Sequence, residues 1–167
     1  MIFTASSDGN FTLNGRVVPC AIGRSGMVAA ADKREGDGAS PIGYWPIRRF
    51  VYRADRLSVP QALLPITATQ PQDGWCDDAN DPLYNRPVTL PYPASCEQMW
   101  REDHVYDLVG ILGHNDDPTD AGMGSAIFLH LARPGFAPTE GCIALRLEDM
   151  LEVIRLAGPG SAIEIKR

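Results

Sequence analysis

The sequence predicts a mostly β domain with about two short helices, and three observations predict it. Its 16 glycines and 14 prolines interrupt the chain more often than a helical bundle tolerates. Its apolar residues fall in short runs bounded by those breakers, too short for helices. One dipeptide, Asn14-Gly15, sits between apolar segments and is the strongest local hairpin signal.

Each element follows from a local cue. The chain starts directly on a strand-like segment. Phe11 to Leu13 and Arg16 to Ile22 form the arms of the hairpin around Asn14-Gly15. Lys33 to Ser40 is polar and Gly-rich, a loop. Tyr44 to Tyr52 mixes aromatic and β-branched residues with charges, a strand. Residues 58–94 carry seven prolines and no clear period. They read as an extended excursion with short strands, and an excursion that long is usually functional. Ser95-Cys96-Glu97-Gln98 fits a capping box and predicts a short helix through Trp100. Asp107 to Leu112 and Ser125 to His130 are buried strands. Leu147, Met150, Leu151 and Ile154 recur at helical spacing, and Gly158-Pro159-Gly160 ends that helix. Ser161 to Ile165 is a final strand. With no repeat, low-complexity run or linker, residues 1–167 read as one domain.

Composition narrows the function classes. A chain of 167 residues buries roughly 70% of its unfolded surface and folds without staples. Acidic residues outnumber basic ones 21 to 15, for a net charge of −6, with no dense Lys/Arg block. That argues against a nucleic-acid partner. No apolar run approaches the roughly 18 residues of a spanning helix, so no membrane partner is expected. The start shows no basic n-region and no apolar h-region. The expectation is a cytoplasmic protein, or a periplasmic one if a signal has been removed. The cysteines are Cys20, Cys76, Cys96 and Cys142, with no Cys-x-x-Cys pair. Neither a disulfide framework nor a structural zinc site is expected. Cys20, Cys76 and Cys96 read as packed thiols.

The chemistry-bearing candidates are few. The histidines are His104, His114 and His130. His130 ends an apolar run, and twelve residues later comes Thr139-Glu140-Gly141-Cys142. A glycine before a cysteine lets the backbone approach a bound carbonyl, and amides around such a turn can stabilise an oxyanion. A thiol, with a free pKa of about 8.5, needs a base or cation to ionise at neutral pH. A histidine at the end of a buried strand is a rigid platform for that base. Spacing alone leaves a core thiol as the competing reading. The Asp-rich stretches 77–81 and 115–117 lack the Gly and distal Glu of an EF-hand, and no His-Glu-x-x-His supports a zinc hydrolase using His114 and His130. No metal and no cofactor is expected.

Three segments together resemble a known family. Ser125-Ala126-Ile127-Phe128-Leu129-His130 followed by Pro138 to Leu145 resembles the L,D-transpeptidase catalytic domain, also called the YkuD domain. Ser40-Pro41-Ile42-Gly43-Tyr44-Trp45 looks like the family's Thr-Pro-x-Gly-x-aromatic motif. Tyr84-Asn85-Arg86, Trp100 to Asp103, Tyr106-Asp107 and Gly113 to Asp116 resemble a Gram-negative branch that includes cytoplasmic L,D-carboxypeptidases. The resemblance spans roughly residues 10–166. It implies a mostly β, sandwich-like fold and cysteine acyl transfer on peptidoglycan stem peptides. The bond attacked would join the L-centre of a position-three diamino acid to the D-alanine at position four.

Carried onto this chain, the resemblance makes Cys142 the nucleophile and His130 the general base. The amides of Gly141 and Cys142 would form the oxyanion hole. The carbonyl of Leu131 would hold the second imidazole nitrogen. Arg86 and Arg101 are candidates for substrate carboxylates, with Tyr84, His114 and Thr139 as further substrate-binding candidates. Three positions depart from the family pattern. Glu140 replaces a histidine, Ala144 replaces a polar residue, and the 131–138 stretch is short. A carboxylate at Glu140 opposes thiolate formation if it faces the site and matters little if it faces water.

The implied partner is a peptidoglycan tetrapeptide or muropeptide whose diamino acid is diaminopimelate, with carbapenems as inhibitors. Water as acceptor gives an L,D-carboxypeptidase of murein recycling, the favoured outcome. An amine acceptor gives a transpeptidase forming 3→3 cross-links. The non-enzymatic rival is a wall-binding module, in which Cys142→Ala leaves binding intact.

Overall fold

Thirteen strands and one α-helix make up the chain, in a computed structural model that describes residues 1–167. β1 (Ile2–Ser6), β2 (Asn10–Leu13) and β3 (Arg16–Pro19) form an antiparallel meander. Asn14 and Gly15 turn between β2 and β3 with φ of 48° and 83°, the two positive values a type I′ turn needs. β4 (Met27–Ala29) and a 3-10 turn lead to β5 (Ser40–Tyr52), the longest strand.

β5 belongs to two sheets. Its first half, Gly43 to Pro46, pairs with β13 (Ala162–Lys166), which runs parallel to β1. Its second half, Ile47 to Tyr52, pairs with β10 (Leu108–Leu112). Between the halves the register slips: Ile111 opposes Arg49 and Leu112 opposes Ile47. Arg48 is the extra residue of a bulge, the usual device for bending a strand from one sheet into another. Beyond β10 the second sheet continues through β11 (Phe128–Leu131) to β12 (Ile143–Leu145), with β6 (Ile66–Ala68) beside β5.

The main core fills the space between these sheets. Phe3, Phe11 and Leu13 from one side meet Phe50, Leu108, Leu129 and Ile143 from the other, all fully buried. The helix α1 (Leu147–Leu156) adds Met150, Val153 and Ile154. Fully burying side chains of this size stabilises the fold by ~1.5–3 kcal/mol each.

β10 is buried on both faces, because a second layer covers the outer side of its sheet. Leu108 and Leu112 point to the main core, whereas Val109 and Ile111 point to a smaller cluster with Trp75, Met99, Tyr106 and Phe128. Trp75 and Met99 come from the Pro-rich excursion and its flank. There β7 (Asp73–Cys76) pairs with β8 (Pro87–Thr89) and β9 (Cys96–Gln98) as a separate three-stranded sheet.

Two sequence expectations change. The helix expected over residues 95–100 is strand β9, antiparallel to β7, and Cys96 lies opposite Cys76. The capping-box pattern is a local preference, and pairing with β7 overrides it. The strand expected from Ser125 begins only at Phe128. Ala126 sits at φ 52°, a left-handed conformation that cannot continue a ladder.

Candidate active site

The parallel pairing of β11 and β12 brings His130 and Cys142 to one face. Leu129 is in register with Ile143 and His130 with Ala144. Side chains alternate across a strand, so Leu129, Leu131, Ile143 and Leu145 enter the main core. Phe128, His130, Cys142 and Ala144 take the opposite face, beneath the three-stranded sheet. His130 and Cys142 are thus diagonal neighbours, and both line one cavity of about 360 Å³.

Backbone contacts fix both groups. The Cys142 thiol donates to the Ala126 carbonyl at 3.1 Å, and Sγ accepts the Phe128 amide at 3.3 Å. His130 Nδ1 lies 3.0 Å from the Leu131 carbonyl. A carbonyl only accepts, so Nδ1 carries the proton and Nε2 keeps its lone pair. Tyr106 packs its ring edge-on to the imidazole, 5.4 Å between centroids.

Burial sets the charge states. It pushes the Cys142 thiol up to about 12, and Glu97 adds to the rise against the Phe128 amide and Lys33. It pulls His130 down to about 4, reinforced by Arg133 and Arg101 and opposed by the Leu131 carbonyl and Asp103. At neutral pH the pair therefore rests as uncharged thiol and uncharged imidazole.

The turn before Cys142 is tightly built. Gly141 has φ 137°, and a Cβ there would lie 2.8 Å from the Ala39 carbonyl oxygen. Only glycine fits. The Gly141 amide donates to Thr139 Oγ1 at 3.1 Å, and that hydroxyl donates to the Cys142 carbonyl at 2.7 Å. Of the two amides expected in an oxyanion hole, Gly141's is therefore engaged by Thr139. That of Cys142 has no partner in the protein. Glu140 lines the cavity but is 75% exposed, with both carboxylate oxygens on Arg24 Nε at 3.0 and 2.8 Å. Its replacement of a histidine thus leaves the thiol's surroundings largely untouched.

The remaining candidates separate. Thr139 and Arg101 line the cavity, but Thr139 spends its hydroxyl bracing the turn. Arg101 is paired with Asp103 at 2.7 Å and lies over the Tyr106 ring. Arg86, Tyr84 and His114 do not line it. Arg86 is exposed and donates to the Asp116 carbonyl at 2.5 Å. Tyr84 is buried and donates its hydroxyl to Glu35, which does line the cavity. His114 is buried with Nε2 on the Met123 carbonyl at 3.1 Å and its ring against Trp45.

Sequence reasoning passed over Asn85, the residue between Tyr84 and Arg86. Its buried side chain accepts from the Trp75 indole at 2.9 Å and the Ala126 amide at 3.0 Å. It donates to the carbonyls of His114 and Asn115 at 3.0 and 2.7 Å. It therefore positions Ala126, whose carbonyl takes the Cys142 thiol. Also missed were the cavity residues Lys33, Glu35, Asp77, Glu97 and Arg133. They lie on loops or on the misread β9, where no period marks a cleft residue.

The family model described as the L,D-transpeptidase catalytic domain matches residues 6–165. No curated protein sequence matches the chain. Among solved structures, the chain is similar to L,D-transpeptidase 3 from Mycobacterium tuberculosis in complex with a faropenem-derived adduct. The identity is 16% and the TM-score 0.46, with 99% of this chain and 60% of that one covered. With a family model matched along nearly its whole length, the chain belongs to the L,D-transpeptidase catalytic-domain (YkuD) family.

Proposed function

We propose that the chain is a cysteine acyl-transfer enzyme that removes the D-alanine at position four of peptidoglycan tetrapeptides, an L,D-carboxypeptidase. The observation that supports this is the sharing of one cavity by Cys142 and His130, with the imidazole lone pair on Nε2. Cys142 Sγ attacks the carbonyl of residue three as its proton passes to His130 Nε2. The oxyanion that forms faces the unpartnered Cys142 amide. Collapse breaks the C–N bond, and the D-alanine amine leaves with the proton from His130. Water, deprotonated by His130, then cleaves the thioester and frees the tripeptide and the thiol.

Arg133 suits the terminal carboxylate of the leaving D-alanine. It is exposed, lines the cavity and forms no ion pair with a carboxylate of the protein, unlike Arg101. Hydrolysis is favoured over cross-linking by the acidic lining, which includes Glu35, Asp77 and Glu97. Carboxylates hold an incoming amine as unreactive ammonium, whereas water bears no such handicap.

The test is incubation with disaccharide tetrapeptide. Tripeptide plus D-alanine is expected, and Cys142→Ala abolishes both. A 3→3 cross-linked dimer would make the chain a transpeptidase. Binding without turnover by the unaltered chain would make it a wall-binding module.

A further inference from the structure

We propose that Glu97, Asp77 and Glu35 form the subsite that takes the side-chain ammonium group of the position-three diamino acid of the acyl donor. The inference rests on reading the cavity as a stem-peptide site, and it adds which residues select the substrate.

The charge distribution asks for a cation. All three carboxylates line the cavity with Cys142, and none of them forms an ion pair. Of the three cations that line the cavity, Lys33 Nζ sits 2.5 Å from Asp37 and Arg101 2.7 Å from Asp103, which leaves one unpaired guanidinium, Arg133, against the three carboxylates. Glu97 is raised by burial, against the Tyr106 hydroxyl and the Arg101 guanidinium, with the fields of Asp77 and Glu35 adding to the rise. An ammonium group bound among the three offsets part of that excess.

Unpaired polar atoms point the same way. Ser125 is 8% exposed, lines the cavity, and its hydroxyl has no hydrogen-bond partner. Asp77 Oδ1 is also buried without a partner. Buried polar atoms left unpaired are unfavourable, and a ligand donor relieves that. Glu97 and Glu35 are held in place by the hydroxyls of Tyr106 and Tyr84. Tyr84 thus acts through Glu35 rather than on substrate directly.

The chemistry of the occupant follows. An ammonium group offers three donors and no acceptor, matching carboxylates and a hydroxyl oxygen. An attacking acceptor amine must be uncharged, and these carboxylates would keep it protonated. The group that belongs here is therefore a spectator ammonium on the acyl donor.

The test compares two tetrapeptides that differ only in the position-three side-chain amine, free or N-acetylated. The unaltered chain should favour the free amine in kcat/KM by about 10- to 100-fold, the worth of one charge-assisted hydrogen bond. Glu97→Gln and Asp77→Asn should collapse that ratio, mainly through KM. Comparing substrates on one variant cancels any effect of Glu97 on the thiol. Equal cleavage of both peptides by the unaltered chain overturns the subsite while leaving the carboxypeptidase reading standing. Cleavage of neither overturns both. Calorimetry with Cys142→Ala gives a second readout: tripeptide with the free amine should bind about tenfold or more tighter than its acetylated form. Equal affinities overturn the proposal.

Discussion

His130 donates its Nδ1 proton to the main-chain carbonyl of Leu131, the next residue in the chain, across 3.0 Å. The imidazole is therefore oriented without a carboxylate partner. A carboxylate would stabilise imidazolium, but a neutral carbonyl does so only weakly, and burial pulls His130 down to about 4.

The first consequence is kinetic. An imidazole accepts a proton only when neutral, so if His130 is the general base proposed above, activity should fall as pH drops through its pKa. The acid limb of kcat/KM, which reports the free enzyme, should lie near pH 4. His130→Gln should depress kcat by roughly 10²–10⁴-fold. Rates measured between pH 3.5 and 8 check both, and a limb centred on the ordinary 6.5 contradicts the burial argument.

The same burial couples stability to pH. The folded chain resists protonation of His130, whereas the unfolded chain does not, so the unfolded state binds more protons below pH 6.5. The stabilising contribution is fully present above the unfolded pKa and disappears as pH falls through about 4. At ~1.4 kcal/mol per pH unit it amounts to about 3 kcal/mol. Urea unfolding at pH 7 and pH 4 should show a smaller pH dependence in His130→Gln. Equal dependence in both proteins removes His130 as the cause.

The fold was legible wherever local pattern and tertiary pairing agree. The Asn14-Gly15 turn, the strand through Tyr52 and the helix at Leu147 needed only neighbours in sequence. The parallel pairing of β1 with β13 was not legible, because nothing in either segment names a partner about 160 residues away. At the site, Cys142 and His130 stood out by residue type and motif. Arg86 and His114 stood out as well, yet they serve the scaffold. Glu97 was hidden because residues 95–98 carry a helix-start pattern, while the strand they form faces the cavity.

A thiol at about 12 should be inert toward simple alkylation while remaining open to base-assisted acylation. Iodoacetamide at pH 7 should modify Cys142 at least about 100-fold more slowly in the folded chain than in the denatured one. A carbapenem, whose carbonyl is attacked as His130 takes the proton, should add one adduct mass on Cys142. Intact-mass and peptide mapping read both reactions. Rapid alkylation of Cys142, or a carbapenem label on Cys76, runs against the assignment.

Thr139 tests whether the turn or the substrate needs its hydroxyl. Both hydrogen bonds of Oγ1 stay inside the turn, to the Gly141 amide and the Cys142 carbonyl. Thr139→Ser keeps them and should retain activity. Thr139→Val leaves a buried amide unpaired and should cost ~1–3 kcal/mol in stability. Its turnover should fall with kcat rather than KM. A selective rise in KM for both variants would return Thr139 to the substrate.

Asn85 shows how a buried amide on the Pro-rich excursion supports a sulfur atom it does not touch. Its Oδ1 takes the Ala126 amide, and the Ala126 carbonyl takes the Cys142 thiol. The same oxygen holds the Trp75 indole, and its Nδ2 closes the loop around His114 and Asn115. Asn85 itself stands at φ 57°, a left-handed conformation that asparagine tolerates better than alanine. Asn85→Ala therefore strands several buried groups and strains the backbone. It should destabilise the fold by ~2–4 kcal/mol. Among molecules still folded in a urea-free assay, carbapenem acylation of Cys142 should slow, because Ala126 is no longer held. Acylation at the unaltered rate would show that Ala126 keeps its place without Asn85, leaving only the stability role.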